Sequence, residues 1–136
     1  MNTPDTALPP RLDLRRFLHA WLGVAVPFLA LDALWLSTMA TRLYRPALGD
    51  LMVERFDLLA ALAFYGLYFT GVAWFVVLAP GRGALFGLVA YATYDLTNQA
   101  TLRGWPWHVT AADLAWGAFA TAVASACGRW WLTRRR

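Results

Sequence analysis

The chain has 136 residues, of which 60% are hydrophobic and only 15% charged, and its mean hydropathy is +0.46. A soluble domain usually carries about 25% charged residues, so this composition excludes an ordinary soluble fold and indicates a membrane protein. The net charge is +4 and all twelve basic residues are arginine, placed mostly at the edges of apolar runs. That placement indicates membrane topology and lipid-headgroup contact, and not nucleic-acid binding.

Four apolar segments each approach the roughly 20 residues that a helix needs to cross about 30 Å of hydrocarbon. We predict an all-α integral membrane bundle of four transmembrane helices, because a lipid-exposed backbone must satisfy its own hydrogen bonds. A flexible tail of residues 1–16 precedes the transmembrane domain of residues 17–128, and a basic tail of residues 129–136 follows it. The predicted spans cover residues 17–40, 58–79, 84–102 and 111–128.

The connections carry turn and surface signals. The Pro-Gly-Arg-Gly run at 80–83 predicts a tight turn between the second and third spans. The longest connection, residues 41–57, mixes charged and apolar side chains, which predicts a short amphipathic helix on the membrane surface from Asp50 onward. Asp57 directly precedes the second span and is predicted to cap it.

Arginine counts orient the bundle. The two tails and the 80–83 turn share one side of the membrane and hold eight arginines, whereas the two connections on the other side hold four. Basic residues are enriched in cytoplasmic segments, so both termini are predicted to be cytoplasmic. We therefore expect a multi-pass membrane protein surrounded by the lipid bilayer.

This topology brings carboxylic acids to the outer half of the bundle. At 1.5 Å per residue, Asp32 lies about 12 Å and Asp95 about 10 Å below the outer boundary, and Asp113 opens the fourth span near that surface. Tyr91, Asp95 and Asn98 share one face of the third span, so Tyr91 and Asn98 can reach the Asp95 carboxyl. The candidate ligand-binding residues are Asp32, Tyr91, Asp95, Asn98 and Asp113.

The role of these acids stays open at this point. An aspartate at this depth costs about 2.5–3.5 kcal/mol to insert, so it must face water, find donors or carry a proton. Asp32 and Asp95 either border a functional cavity or belong to a hydrogen-bond network that fixes helix packing. Thr110 and Asp113 match a capping box, which gives Asp113 a structural alternative.

The fourth span contains small residues at four-residue spacing. Such rows allow close helix approach, either within the monomer or to a second copy or another membrane partner. The two rows are Gly117, Thr121 and Ser125, and Ala118, Ala122 and Ala126.

Three stretches resemble a known family. They are LDALWL at 31–36, GALFGLVAYATYDLTN at 83–98 and VTAADLAWG at 109–117. Together they are similar to a family of bacterial four-span inner-membrane proteins that is catalogued as a domain of unknown function. The family pattern reads TNLATL where this chain has Gln99 at the third position, which adds an amide to the outer half. The resemblance covers the chain after the N-terminal tail, implies the fold and brings no activity. It places four of the candidate residues in the recurring motifs, namely Asp32, Asp95, Asn98 and Asp113.

Three functions fit these features. The favoured one is binding of a small molecule, lipid, cation or proton at the acidic cluster, because membrane acids are functional by default. It predicts a cavity bordered by Asp32, Tyr91 and Asp95. The alternatives are a lipid-modifying enzyme that uses the acids for acid–base chemistry or as hard-metal ligands, and a non-catalytic subunit of a larger complex. The chain has no Ser-His-Asp set, His-rich metal spacing or nucleotide loop, so no catalytic residue, metal site or cofactor is assigned.

Overall fold

The computed structural model describes residues 13–55, 57–77, 79 and 81–134. Within these residues all regular structure is helical. The helices in chain order are α1 (Leu14–Met39), a π-helical turn (Ala40–Tyr44), α2 (Arg45–Leu48), a 3-10 turn (Gly49–Leu51), α3 (Leu58–Phe75), α4 (Arg82–Thr101) and α5 (Trp107–Arg134).

The membrane prediction is confirmed at the level of an all-helical protein with apolar spans. By length and composition, three stretches of the described chain can cross a membrane, namely Leu14–Leu51, Leu58–Phe75 and Trp107–Arg134. The α4 helix has 20 residues, enough for about 30 Å at 1.5 Å per residue, but it is not among the three. Its threonines, Asp95, Asn98 and Gln99 make it less apolar than the others. That α4 is a fourth span stays a prediction, as does the orientation of the termini.

The helix bounds differ from the predicted spans. The α3 helix begins where it was expected, with the Asp57 side chain accepting a hydrogen bond from the Ala60 amide at 3.0 Å, but it ends at Phe75 and the chain then turns. The α5 helix is longer than residues 111–128 and runs through most of the segment predicted as a basic tail. Nothing between Gly128 and Arg134 is a strong helix breaker, so the helix continues.

The prediction of a surface helix that begins at Asp50 is wrong. The π-helical turn and α2 lie before that position, because α1 passes directly into them, and the 3-10 turn Gly49–Leu51 ends one residue past it. Pro46 lies in the first turn of α2, where a missing amide hydrogen costs little. Gly49 has a φ of +47° and ends the helix, so the described residues between Gly49 and α3 form no further α-helix.

Small residues allow α4 and α5 to approach each other closely. A Cβ built on Gly87 would lie 2.5 Å from the Thr121 Oγ1 and 2.6 Å from the Gly117 carbonyl carbon. A Cβ on Gly83 would meet Ser125 equally closely. The Gly117, Thr121 and Ser125 row therefore packs against α4 within the same chain.

The apolar core lies between α1, α3 and α5. Its largest fully buried side chains include Val24, Phe28, Phe69 and Val72. Large apolar side chains also cover the outside of all four long helices, as a lipid-facing surface requires. Examples on the outside are Leu22, Leu67, Leu85, Val89 and Phe119.

Candidate functional site

Asp32 is held by hydrogen bonds from two other helices. The acid lies on α1 and is 7% exposed. The Tyr65 hydroxyl of α3 donates to its Oδ2, and the Trp116 indole of α5 donates to its Oδ1 at 3.3 Å. Asp32 is therefore a satisfied buried acid that joins three helices.

Asp113 is linked to Asp32 through aromatic side chains. The Tyr44 hydroxyl, from the π-helical turn, donates to the Asp113 Oδ1, and the Trp35 indole donates to the Tyr44 hydroxyl at 2.8 Å. The Trp35 ring stacks on that of Trp116, with centroids 4.5 Å apart and an interplanar angle of 11°. Since Trp116 binds Asp32, one connected network runs from the first acid to the second.

Asp95 differs from the other two acids. It is 0% exposed, and neither of its carboxyl oxygens has a hydrogen-bond donor among the described residues. Its carboxyl lies close enough to the Asp113 carboxyl for the two groups to interact. Ionised carboxylates only accept hydrogen bonds, so two of them can bond to each other only when one carries a proton. The Asp95–Asp113 pair is thus the chemically unusual part of the network.

Tyr91 and Asn98 do not satisfy Asp95, so the predicted hydrogen bonds to that acid are wrong. Both share the Asp95 side of α4, but the Tyr91 ring fills the space that a Cβ on Gly117 would need. It also meets the Tyr68 ring edge-on, with centroids 6.3 Å apart. Asn98 is half-buried, and its amide makes no hydrogen bond with Asp95.

The capping box predicted for Thr110 and Asp113 is also wrong. The α5 helix begins at Trp107, and the Val109 and Thr110 amides both donate to the Pro106 carbonyl, at 3.1 and 3.4 Å. The helix start therefore lies a turn before the predicted one. Asp113 is consequently an interior residue of the helix and is 7% exposed.

Thr110 instead belongs to a polar cluster at the end of α4. Its hydroxyl donates to the Gln99 Oε1 at 3.2 Å and accepts from the Trp105 indole at 3.1 Å. The Gln99 Nε2 donates to the Trp105 carbonyl at 2.8 Å. The amide that departs from the resembling family pattern therefore ties α4, the following connection and α5 together.

A comparison with protein families places the chain. The model of the family described as predicted membrane protein (DUF2177) matches residues 17–130. The chain belongs to this family. The matched region of this DUF2177 protein includes Asp32, Asp95 and Asp113, and the family description gives no activity. Neither curated proteins nor solved structures gave a match.

Sequence reasoning missed two tryptophans in the DUF2177 network. Trp35 and Trp116 fit a packing role by sequence, yet each follows an aspartate by three residues, as Asp32-x-x-Trp35 and Asp113-x-x-Trp116. The two tryptophans stack on one another and connect the two acids. The repeated Asp-x-x-Trp pattern is the signal that could have identified them.

No comparable sequence pattern identifies Tyr44 as a member of the network. It lies in the first connection, outside the predicted spans, and reaches Asp113 only because the helix continues past residue 40. Its position at the end of a π-helical turn is notable because such turns often occur at functional sites.

The surroundings of the three acids determine which ligands could reach them. No described arginine donates a hydrogen bond to the three acids, and no group of three or more His, Cys, Asp or Glu side chains in the described chain could hold a metal ion. Two cavities found among the described residues lie elsewhere, one at the start of α4 and one along its outer face. The space near the acids is instead occupied by the Tyr44, Trp35 and Trp116 rings.

Proposed function

We propose that this DUF2177 protein binds a proton at the Asp95–Asp113 pair, in the outer half of a four-span bundle. The bundle is proposed to lie in a bacterial inner membrane with both termini in the cytoplasm. One observation carries the proposal, namely that Asp95 is fully buried without a donor while its carboxyl adjoins that of Asp113.

Charge explains why the pair needs a ligand. Each buried ion costs several kcal/mol in a protein interior, and two adjacent carboxylates without a counter-ion also repel each other. A single proton removes one of the two charges and supplies the missing hydrogen bond. Tyr44 stabilises the remaining charge by donating to Asp113.

A proton fits this site better than the other ligands considered. A hard cation needs about six or more oxygen ligands, and the described residues offer no group that could hold a metal. A small molecule or lipid needs an opening, whereas Asp32, Asp95 and Asp113 are 7%, 0% and 7% exposed. The same enclosure disfavours a lipid-modifying enzyme, because a substrate could not reach the acids without a rearrangement.

Infrared spectroscopy of the full chain in lipid nanodiscs tests the proposal. A protonated carboxyl gives a C=O stretching band that a carboxylate lacks, and we expect this band at neutral pH. Asp95→Asn and Asp113→Asn should each remove it. Asp50→Asn is the control, because Asp50 is exposed and outside the network. Asp32→Asn should also retain the band, since Asp32 has two donors. A wild-type protein without the band, or a band unchanged in both pair variants, refutes proton binding at this site.

A second candidate function, as a subunit of a larger membrane complex, is favoured by one observation. A shallow groove follows the outer face of α4, the least apolar of the long helices. Small and hydroxyl side chains in such a groove allow another helix to approach closely. The groove is lined by Val89, Ala92, Thr93, Leu96, Thr97 and Ala100.

Cysteine crosslinking in membranes tests the second candidate and compares the two helices that could dock a partner. In a Cys127→Ser background, Ala92→Cys samples the α4 groove and Ala118→Cys samples the small-residue face of α5. A disulfide-linked dimer formed through Ala92→Cys favours a second copy on α4, and one formed through Ala118→Cys favours the face predicted from the sequence. Crosslinking through neither position contradicts a homo-oligomer at these surfaces.

A further inference from the structure

A second feature of the molecule lies at the end of the bundle opposite the acid pair. A half-open cavity of about 230 Å³ lies between the residues that follow α3, the start of α4 and the facing part of α5. Gly83 on its wall and Asp95 are twelve residues apart on α4, which is about 18 Å at 1.5 Å per residue. The cavity is therefore separate from the proposed proton site.

Arg129 is the only charged side chain among the described lining residues. Its Nε donates to the Val77 carbonyl at 3.1 Å, which is the one hydrogen bond of this side chain within the described residues. That bond fixes the plane of the guanidinium, whose terminal nitrogens keep their donors for a ligand. A fixed guanidinium on a cavity wall favours an oxyanion, and a phosphate above all.

The start of α4 also favours an oxyanion in this cavity. Gly81, with a φ of +79°, is the N-cap of α4 and gives no side-chain hydrogen bond to the helix amides. Both Gly81 and Gly83 line the cavity. The positive end of the helix dipole therefore lies beside Arg129, and no described acidic residue of the lining opposes it.

Apart from Ser125, whose hydroxyl donates to the Ala122 carbonyl at 3.0 Å, the remaining side chains of the cavity wall are apolar and reach the lipid-facing surface. Val76 and Val77 form its buried side, whereas Ala84 and Ala126 are exposed side chains on α4 and α5. A ligand that fits must therefore combine an anionic group with an apolar portion that continues into the bilayer. A free phosphate has the first property only.

We propose that this cavity binds the phosphate headgroup of an anionic phospholipid of the phosphatidylglycerol type, with Arg129 on the phosphate and the glycerol and first methylenes against the apolar wall. Basic pockets between transmembrane helices hold anionic headgroups in this manner. The position of the cavity agrees with the predicted cytoplasmic side, where arginines concentrate.

Thermal unfolding of the full chain in a neutral detergent, with added lipid, tests this inference. Phosphatidylglycerol should raise the unfolding temperature in a saturable way, and phosphatidylcholine should not. Arg129→Gln should weaken the apparent affinity for phosphatidylglycerol about tenfold, since a charge-assisted bond of about 1.4 kcal/mol corresponds to one decade. Arg134→Gln is the matched control, because it removes the same charge at the same end of the chain while Arg134 stacks on Trp130 and not on the cavity.

A second variant keeps the test informative if Arg129→Gln does not fold. Ala126→Leu fills part of the cavity but retains the guanidinium, and it should also weaken phosphatidylglycerol binding. Equal stabilisation by inorganic phosphate overturns the lipid proposal in favour of a free anion. If Arg129→Gln and Arg134→Gln lose the same affinity for phosphatidylglycerol, general surface charge and not this cavity attracts the lipid. Full phosphatidylglycerol binding by Ala126→Leu would lead to the same conclusion.

Discussion

Replacing Gly87 by alanine should force α4 away from α5. The added Cβ would lie 2.5 Å from the Thr121 Oγ1 and 2.6 Å from the Gly117 carbonyl carbon, whereas non-bonded carbon atoms prefer about 3.5–4.0 Å. The contact with Gly117 is made by backbone and cannot rotate away, so the helices must separate by about 1 Å. Overpacking of this kind costs about 1–3 kcal/mol, and alanine recovers about 1 kcal/mol of helix propensity. We expect a net destabilisation of about 1 kcal/mol.

Reversible unfolding of the full chain in mixed micelles, titrated with a denaturing detergent and followed by tryptophan fluorescence, measures this change. Two glycines serve as graded controls. Gly66→Ala meets nothing within 4 Å and should stabilise the protein by about 1 kcal/mol. The Cβ of Gly71→Ala meets only the Phe86 ring, at 3.1 Å, so the stability of this variant should lie between those of Gly87→Ala and Gly66→Ala. If Gly87→Ala is as stable as Gly66→Ala, the close α4–α5 contact is not as described.

The same substitution should disturb the proposed site. Asp95 lies two turns from Gly87 on α4, and Asp113 lies one turn from Gly117 on α5. Separating the helices therefore pulls the two carboxyls apart. The infrared band of the shared proton should weaken in Gly87→Ala and persist in Gly66→Ala; a band of full strength in both variants would separate the helix contact from the proton site.

Three further substitutions test individual contacts. Tyr44→Phe removes the hydroxyl bound to Asp113 and should destabilise the protein by about 1–3 kcal/mol in the unfolding assay; an unchanged free energy of unfolding would contradict that bond. Trp116→Phe keeps an aromatic ring but removes the donor to Asp32, so we expect the free energy of unfolding to fall by about 1–2 kcal/mol. A double-mutant cycle with Asp32→Asn should show a smaller loss for Trp116→Phe when Asp32 is already asparagine. Asp57→Ala removes the N-cap of α3 and should cost about 1 kcal/mol, whereas Asp57→Asn should be nearly neutral; equal effects of the two would argue against capping.

The helices were the most predictable part of the fold. Apolar length alone located α1, α3 and α5, and the Asp57 cap fixed the start of α3 within a residue. The first connection was not predictable in the same way, because its mixed pattern fits a helix on either side of Gly49. The backbone of Gly49, with a φ of +47°, ends the helix at that residue. A hydropathy pattern does not encode this backbone conformation.

The proximity of the three acids was predictable from the sequence, but their hydrogen-bond partners were not. Helix direction brought Asp32, Asp95 and Asp113 to one end of the bundle, and the network in the structure joins Asp32 to Asp113 and places Asp95 beside it. Spacing along α4 also suggested Tyr91 as a donor to Asp95. That suggestion failed because the direction of a side chain depends on where the neighbouring helix leaves space, here above Gly117.

The difference in apolarity between α4 and the other long helices bears on how the protein is made. A helix that carries a buried aspartate and several polar side chains partitions poorly into lipid when it leaves the translocon alone. Its glycines fit directly against α5, and its acid meets an acid of that helix. As the proposed fourth span, α4 is therefore expected to remain at the translocon until α5 has been synthesised, so that the two helices enter the bilayer together as a hairpin.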